Sequence, residues 1–178
     1  MLFWHLGGTV VVVFVTLGRR SIDYRVVMLG AIMPDLIDKP IGRIFFEDEF
    51  QSSRLFGHTL LFALVLVLAI QFTLRGGVAR RWFVLPIACL IHLALDGMWG
   101  EPITLFWPLF GTKFPAVPAD NYWLEVLRNL VRNPIRLIQE IAGLTMLLYV
   151  GYAYGLNQKE RFKAFVKTGA LTDKIPTE

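Results

Sequence analysis

The chain has 178 residues, 55% of them hydrophobic, and a mean hydropathy of +0.54. It is too apolar for an ordinary soluble domain, so the lipid bilayer is the predicted solvent. The formal charge of +4 is modest and no basic run carries interleaved aromatics, so we expect no nucleic-acid partner.

The first two apolar stretches differ in length. Leu2 to Gly18 has roughly the minimum of about 17 residues that crosses a bilayer. It lacks the basic start and small-residue cleavage site of a secretory signal, so we predict a retained helix. Val26 to Ile37 is shorter and contains Gly30 and Pro34, which predicts a tilted, shielded or partly inserted helix.

Three more apolar segments follow. Leu55 to Leu74 and Trp82 to Trp99 are long enough to span, and the basic, glycine-containing residues 75–81 predict a tight turn between antiparallel helices. Residues 100–133 are rich in Pro, Gly and aromatics, and Pro134 begins the last apolar stretch, to about Gly155. The predicted fold is all-α: an integral membrane bundle of about five helices with a Pro/Trp-rich, partly re-entrant segment. We expect one membrane-embedded domain over residues 1–156 and a basic cytoplasmic tail over residues 157–178.

The charges predict an orientation. With five crossings, the loops that include residues 19–25, 75–81 and the tail hold eleven Lys and Arg against four Asp and Glu. The opposite loops hold seven against ten. Because cytoplasmic loops carry the excess of Lys and Arg, we expect a multi-pass plasma-membrane protein with an external N-terminus and a cytoplasmic C-terminus.

Ionisable residues in apolar helices mark a candidate site, because each costs about 2.5 to 3.5 kcal/mol at the centre of a bilayer. His92 and Asp96 are four residues apart, so they project from one face of a helix. Asp35 and Asp38 are three apart, beside Pro34, and share a face as well. Either pair could instead be structural, the first as a buried pair and the second as an Asx turn or a helix cap. Of the two aspartates, Asp38 is slightly favoured as a cap and Asp35 as a ligand.

These polar residues are predicted to meet at one depth. With five crossings, the external ends of the helices carry the histidines and acidic pairs, namely His5, Asp35, Asp38, His58, His92, Asp96 and Glu140. The only cysteine, Cys89, excludes a cysteine-rich zinc site, so a metal would need nitrogen and oxygen ligands. Such a set suits zinc, manganese or iron, which can lower the pKa of water to about 7 and make it a nucleophile. We therefore predict a metal site near the outer face.

At these residues the sequence resembles the membrane-bound metal-dependent hydrolases, the LexA-regulated, YdjM-like inner-membrane proteins. The resemblance covers the span from His5 to about Phe114. Its motifs are an early histidine, a Gly-x-x-x-Pro-Asp-x-x-Asp segment, a Gly-His-Thr segment, a His-x-x-x-Asp helix and a Trp-Pro pair. In this chain they are His5, residues 30–38, residues 57–59, residues 92–96 and residues 107–108.

The family is in turn similar to zinc phospholipase C and the single-strand-specific zinc nucleases, and this similarity implies a ligand set. One of Asp35 or Asp38, with His58, His92 and Asp96, would hold one ion, and His5 with Asp96 a second. The chain departs from the family at Ser53-Arg54-Leu55, where many relatives have His-Arg-Gly.

The expected function is hydrolysis of an ester or phosphoester of a lipid or lipid-linked substrate by a metal-activated water. The catalytic candidates are Asp35, Asp38 and Arg54. A carboxylate would take the proton from the water, and Arg54 either binds a phosphoryl group or is a charge at the membrane surface. Two other classes stay open: an ion- or proton-coupled transporter or channel, and a non-catalytic membrane protein with a structural metal. The sequence leaves the oligomeric state open.

Overall fold

The computed structural model of the protein describes residues 1–18, 22–118 and 121–171, and these residues form helices and turns without a β-strand. The all-α prediction is confirmed. The helices are α1 Leu2–Leu17, α2 Tyr24–Pro40, α3 Glu47–Phe50, α4 Leu60–Thr73, α5 Gly76–Trp82, α6 Val84–Leu95, α7 Pro102–Leu105, α8 Tyr122–Arg132, α9 Pro134–Ala153 and α10 Lys159–Thr168. A π-helical turn, Ile41–Phe45, follows α2, and a 3-10 turn, Phe56–His58, precedes α4.

Side-chain caps fix where the main helices begin. Asp23 accepts the backbone N–H of Arg25 at the start of α2, and Thr59 accepts that of Phe62 at the start of α4. Asn133 caps α9, whose first residue is Pro134. Each cap accepts a backbone N–H that has no partner within the helix, so it stabilises that end. The cap at Thr59 also fixes the residue that follows His58.

Glycines set the closest helix contacts in the core. A Cβ atom on Gly7 of α1 would lie 2.1 Å from the carbonyl oxygen of Gly143 of α9. One on Gly30 of α2 would lie 2.6 Å from the Cβ of Ala88 of α6. The backbones therefore approach each other as they do where small residues line interfaces between membrane helices. A Cβ on Gly8 of α1 would lie 2.9 Å from the Leu95 side chain of α6. The helices that carry the polar residues, α1, α2 and α6, thus pack into one bundle.

The helix lengths bear on the predicted crossings. Among the described residues, one helix, Gly76–Leu95, in which α5 runs into α6, is long and apolar enough to cross a membrane. The helices Leu2–Leu17 and Leu60–Thr73 are apolar but shorter. The predicted bundle of about five spanning helices therefore stays a prediction.

Three local predictions were wrong. The tight turn at residues 75–81 is helix α5: the reversal needs only extended residues 74–75 and Gly76, with φ +59°. The second helix is longer than predicted, because it continues through Pro34 to Pro40. The segment over residues 100–133 contains α8, whose repeat of apolar residues at helical spacing was overlooked.

The last described residues pack back onto α2. Tyr24 N–H donates to the carbonyl oxygen of Gly169 at 2.8 Å, and Arg25 donates to that of Val166 at 2.6 Å. Gly169 has φ +72°, and a Cβ there would lie 1.7 Å from Asp23 Oδ1, so only glycine fits. Arg25 also donates to Asp23 at 2.6 Å, and this bond holds the pKa of the Asp23 carboxyl below its usual value. The end of α10 is thereby joined to the start of α2.

Candidate metal centre

All three histidines bind a fixed acceptor through Nδ1. His58 Nδ1 donates to Asp38 Oδ2 at 2.7 Å, and His92 Nδ1 donates to the carbonyl oxygen of Ala31 at 2.7 Å. His5 Nδ1 donates to the carbonyl oxygen at the start of its own helix. A carbonyl or carboxylate oxygen only accepts, so each Nδ1 carries the proton. In the neutral rings, each Nε2 therefore presents a lone pair.

These lone pairs converge. Nε2 of His58 faces Nε2 of His92 at 3.3 Å, and Asp35 Oδ1 lies 3.6 Å from His58 Nε2. Ligand atoms of these three residues all lie within 4.8 Å of one another. The His5 ring stacks on that of His92, with centroids 4.1 Å apart. The structure thus brings together side chains from α1, α2, α6 and the turn before α4, as the sequence predicted.

Facing lone pairs repel unless a cation lies between them. Two imidazole nitrogens bound to zinc at 2.0–2.1 Å with a tetrahedral angle are about 3.4 Å apart, and the Nε2 atoms of His58 and His92 are 3.3 Å apart. A histidine held at Nδ1 by a carboxylate or carbonyl, with Nε2 free, is the usual protein arrangement around such an ion. The residues present therefore fit a divalent metal.

Asp38 lies behind His58, outside the cluster. It is fully buried, and its Oδ2 accepts the N–H of Leu55 at 2.6 Å and of His58 at 3.1 Å, besides His58 Nδ1. Its Oδ1 accepts the N–H of Gly57 at 2.8 Å. The sequence predicted one of Asp35 or Asp38 as a ligand. In the structure Asp35 reaches the cluster, while both oxygens of Asp38 are used in holding the turn and ring of His58.

Asp96 and Arg54 form the other side of the cluster. Asp96 Oδ1 lies 3.3 Å from His5 Nε2, and its Oδ2 accepts Arg54 Nε at 2.8 Å and lies 3.8 Å from His58 Nε2. Arg54 also pairs with Glu101. Burial lowers the pKa of Arg54, but the charges of Asp96 and Glu101 outweigh this and raise it. Arg54 is therefore a cation held directly beside the cluster rather than a lone surface charge.

Two charged residues at the site were missed from the sequence. Lys39 donates to Asp35 Oδ2 at 2.6 Å, so one oxygen of Asp35 faces a lysine and the other faces the histidines. Its position, four residues after Asp35 on the same helix, is a signal that could have identified it. Glu101, which pairs with Arg54, follows a glycine turn, and no local pattern identifies it.

The model of one family, YdjM inner membrane protein, matches residues 1–161 of the chain. The chain belongs to this family. The predicted resemblance to YdjM-like proteins is thus confirmed, and the protein is a membrane protein. No curated protein and no solved structure shows significant similarity to the chain. The proposed similarity to zinc phospholipase C and the zinc nucleases stays a prediction.

One further candidate of the YdjM-family chain, Glu140, holds the helix that carries His5. Glu140 of α9 accepts the N–H of Phe3 at 3.0 Å through Oε2, so it holds the start of α1, while its buried Oε1 has no hydrogen-bond partner. Cys89 is fully buried within the core. Glu140 thus contributes to the placement of His5, which lies two residues after Phe3 on the same helix.

Aromatic rings hold the loop after α7 against the site of this YdjM-family protein. The ring of Trp107 stacks on Phe114 at 5.6 Å between centroids, and both rings pack edge-on against Phe56, at 5.4 and 4.9 Å. Phe56 belongs to the same 3-10 turn as His58. The Trp-Pro-containing loop therefore supports the turn that places His58.

Proposed function

We propose that this YdjM-family protein is a membrane-embedded, metal-dependent hydrolase that cleaves an ester or phosphoester of a lipid or lipid-linked substrate. The observation that carries the proposal is the pair of facing Nε2 atoms of His58 and His92, 3.3 Å apart, with Asp35 beside them. Buried imidazoles whose Nδ1 atoms are already engaged suit coordination of a cation.

Asp35, His58 and His92 would hold the ion, and His5 with Asp96 would complete its surroundings or hold a second one. Nitrogen and oxygen donors suit zinc best, and manganese or iron also accept them. Such an ion, when bound, lowers the pKa of a water to about 7 and polarises the ester that the water attacks.

The remaining charged residues have separate roles in this proposal. The guanidinium of Arg54, 2.8 Å from Asp96 Oδ2, binds the oxygens of the phosphoryl group as charge develops on them. A carboxylate beside the cluster that is not itself a ligand would take the proton released by the water, while Asp96 holds Arg54 in place through Oδ2. Asp38 is a positioning residue that acts through His58, since its own oxygens bind the turn and the ring.

We further propose that the chain crosses the membrane five times, through α1, α2, α4, the continuous α5–α6 helix and α9. In this arrangement α10 and the basic residues after residue 157 are cytoplasmic, and the site lies near the outer face. Cysteines placed singly at Lys113 and at Lys163, in a Cys89→Ala background, should react with an impermeant reagent from outside at the first position and not at the second. Equal labelling of both in intact cells would refute the topology.

Elemental analysis tests the metal. The purified wild type should hold about one or two transition-metal ions per chain, and the His58→Ala/His92→Ala variant should hold none. Asp48→Ala is the matched control, because Asp48 is an exposed carboxylate outside the cluster. A wild type that stays metal-free after loading would remove the basis of the proposal.

Measuring hydrolysis and metal content together distinguishes the role of Arg54 from that of the metal ligands. With phospholipids and lipid-linked phosphates as substrates, Arg54→Gln should keep its metal and lose about 10² to 10³ in rate, as expected when a donor to developing charge is removed. Full activity of Arg54→Gln would refute the phosphoryl-binding role. Hydrolysis that survives in the metal-free His58→Ala/His92→Ala variant would refute the metal mechanism.

A further inference from the structure

A pocket of about 270 Å³ lies between α1, α2 and the first turn of α8. Its inner end is formed by His5 and Asp35, which both belong to the metal cluster, and its walls include Ile32, Leu36 and Trp123. Most of this lining is apolar, so the pocket favours an apolar ligand group that extends from the cluster.

One cation lies at the border between the polar end and the apolar walls. Lys39 lines the pocket and donates to Asp35 Oδ2 at 2.6 Å, with 27% of its side chain exposed. An ammonium has three N–H groups, and Asp35 uses one of them. The others can reach a ligand in the pocket, where a fixed positive charge favours an anionic group.

The outer end of the pocket is apolar and exposed. Leu36 is 61% exposed and Trp123 is 52% exposed. Trp123 belongs to α8, whose apolar and charged residues occupy opposite faces, an arrangement typical of a helix that lies at a membrane interface. The apolar face carries Trp123, Leu127, Leu130 and Val131, and the opposite face carries Glu125, Arg128 and Arg132. In a membrane protein these exposed side chains meet lipid, so the pocket leads from lipid towards the cluster.

We propose that this pocket binds the part of an acyl or alkyl chain next to the headgroup of an anionic amphiphile, and that Lys39 binds its phosphate. The volume is slightly below the range of about 300 to 1,000 Å³ found for drug-sized ligands, so the rest of the chain extends into the bilayer. The inference rests on the proposed function for the reaction, but the binding itself is independent of it. Lys39 is then the residue that selects a phosphate-bearing substrate.

Binding of decyl phosphate to the full-length protein tests this assignment. Native mass spectrometry of the detergent-solubilised protein counts bound decyl phosphate, with decyl maltoside and inorganic phosphate as the neutral and chain-free comparisons. Lys39→Gln should weaken decyl phosphate binding at least about tenfold, as expected for a lost bond to a charged group. Ile32→Trp, which fills the pocket, should weaken it as well. Lys39→Arg should retain binding, and Lys113→Gln is the matched control because Lys113 is exposed outside the pocket.

The metal content of the same samples separates the possible outcomes. A Lys39→Gln protein that keeps its metal and loses decyl phosphate supports the assignment. If this variant loses both, Lys39 acts by holding Asp35, and the headgroup role is overturned. Equal binding of inorganic phosphate and decyl phosphate overturns the chain-binding role, and equal binding of decyl maltoside overturns the anion preference. A metal-free wild type that still binds decyl phosphate through Lys39 would refute the proposed function alone.

Discussion

Replacing Asp38 by asparagine should weaken both metal binding and folding, although Asp38 does not face the metal cluster. Its Oδ2 accepts three hydrogen bonds, from Leu55 N–H, His58 N–H and His58 Nδ1–H, and its Oδ1 accepts one from Gly57 N–H. The asparagine oxygen can replace Oδ2, but the amide NH₂ must then face the N–H of Gly57. Two buried donors are left in contact without an acceptor.

The structure gives the size of the effect. A buried donor without a partner costs about 1 to 3 kcal/mol, and the three remaining bonds lose the strength that a charged acceptor gives them. We therefore expect a loss of at least about 1 to 3 kcal/mol in the free energy of unfolding. Because His58 loses the carboxylate that orients its ring, metal affinity should fall about 10- to 100-fold.

Chelator competition measures the metal affinity of Asp38→Asn, and unfolding in detergent measures its stability. Asp48→Asn is the control, because Asp48 is an exposed carboxylate on the short helix α3. If Asp38→Asn matches this control in both measurements, Asp38 does not orient His58 and the reasoning is refuted.

Three other predictions concern the helices and their contacts. Gly143→Ala should cost about 1 to 3 kcal/mol of stability, because the added Cβ would lie 2.1 Å from the carbonyl oxygen of Phe3. Gly151→Ala on the same helix is the control: its Cβ would meet nothing within 4 Å, so this change should be neutral or stabilising. Equal melting temperatures of the two variants would contradict the prediction. Spin labels can be placed at Leu127→Cys and Arg128→Cys in a Cys89→Ala background, with the protein reconstituted in vesicles. The label at 127 should collide more with oxygen, which dissolves in lipid, and the label at 128 more with a water-soluble nickel chelate. Identical ratios of the two collision rates at both positions would show that α8 has no lipid-facing side. The hydrogen bond from Arg25 lowers the pKa of Asp23 from its ordinary value. This pair therefore stabilises the docked end of α10 above the ordinary aspartate pKa and ceases to do so as pH falls through the lowered pKa. A spin label at Val166→Cys should therefore gain mobility only below about pH 4. In Arg25→Gln, which lacks both the pair and the bond to Val166 O, the label should be mobile at neutral pH as well; the wild-type acid transition retained in that variant would rule out the pair as its cause.

The convergence of the site could be predicted because it follows from spacing and helix alternation. His92 is four residues from Asp96, and Asp35 is three from Asp38, so each pair shares a helix face whatever the tertiary structure. Alternating helix directions then bring these faces to one end of the bundle. The contact between the Nε2 atoms of His58 and His92 agrees with that argument.

The roles within the site could not be predicted, because they depend on side-chain direction. From the sequence, Asp38 was only slightly favoured as a cap and Asp35 as a ligand. In the structure Asp38 meets the backbone N–H groups of the turn before α4, and Asp35 points to the histidines. The choice depends on a loop that lies 17 to 20 residues further along the chain. Local spacing carries no information about that contact. Glu101 was missed for the same reason.

Helix boundaries were less predictable than helix positions. The glycines and arginines of residues 75–81 suggested a turn, yet α5 forms over Gly76–Trp82. Pro34 suggested a break in the second helix, yet α2 continues to Pro40. In α2, close packing of Gly30 against Ala88 of α6 outweighed the local preference, whereas α5 has no buried residue and its helical form is not explained by packing. Residues 122–132 form α8 because their apolar residues recur at helical spacing, although Pro, Gly and aromatic residues flank them.

The four hydrogen bonds to Asp38 also affect how fast and how strongly an ion can bind. They fix the backbone over residues 55–58 before any ligand arrives, so binding does not have to order a loop at the expense of affinity. In such a preorganised metal site, binding of the ion should rotate side chains without moving the backbone. Exchange of the ion should then be limited by access past Lys39 and Arg54, the two cations that lie against its carboxylates.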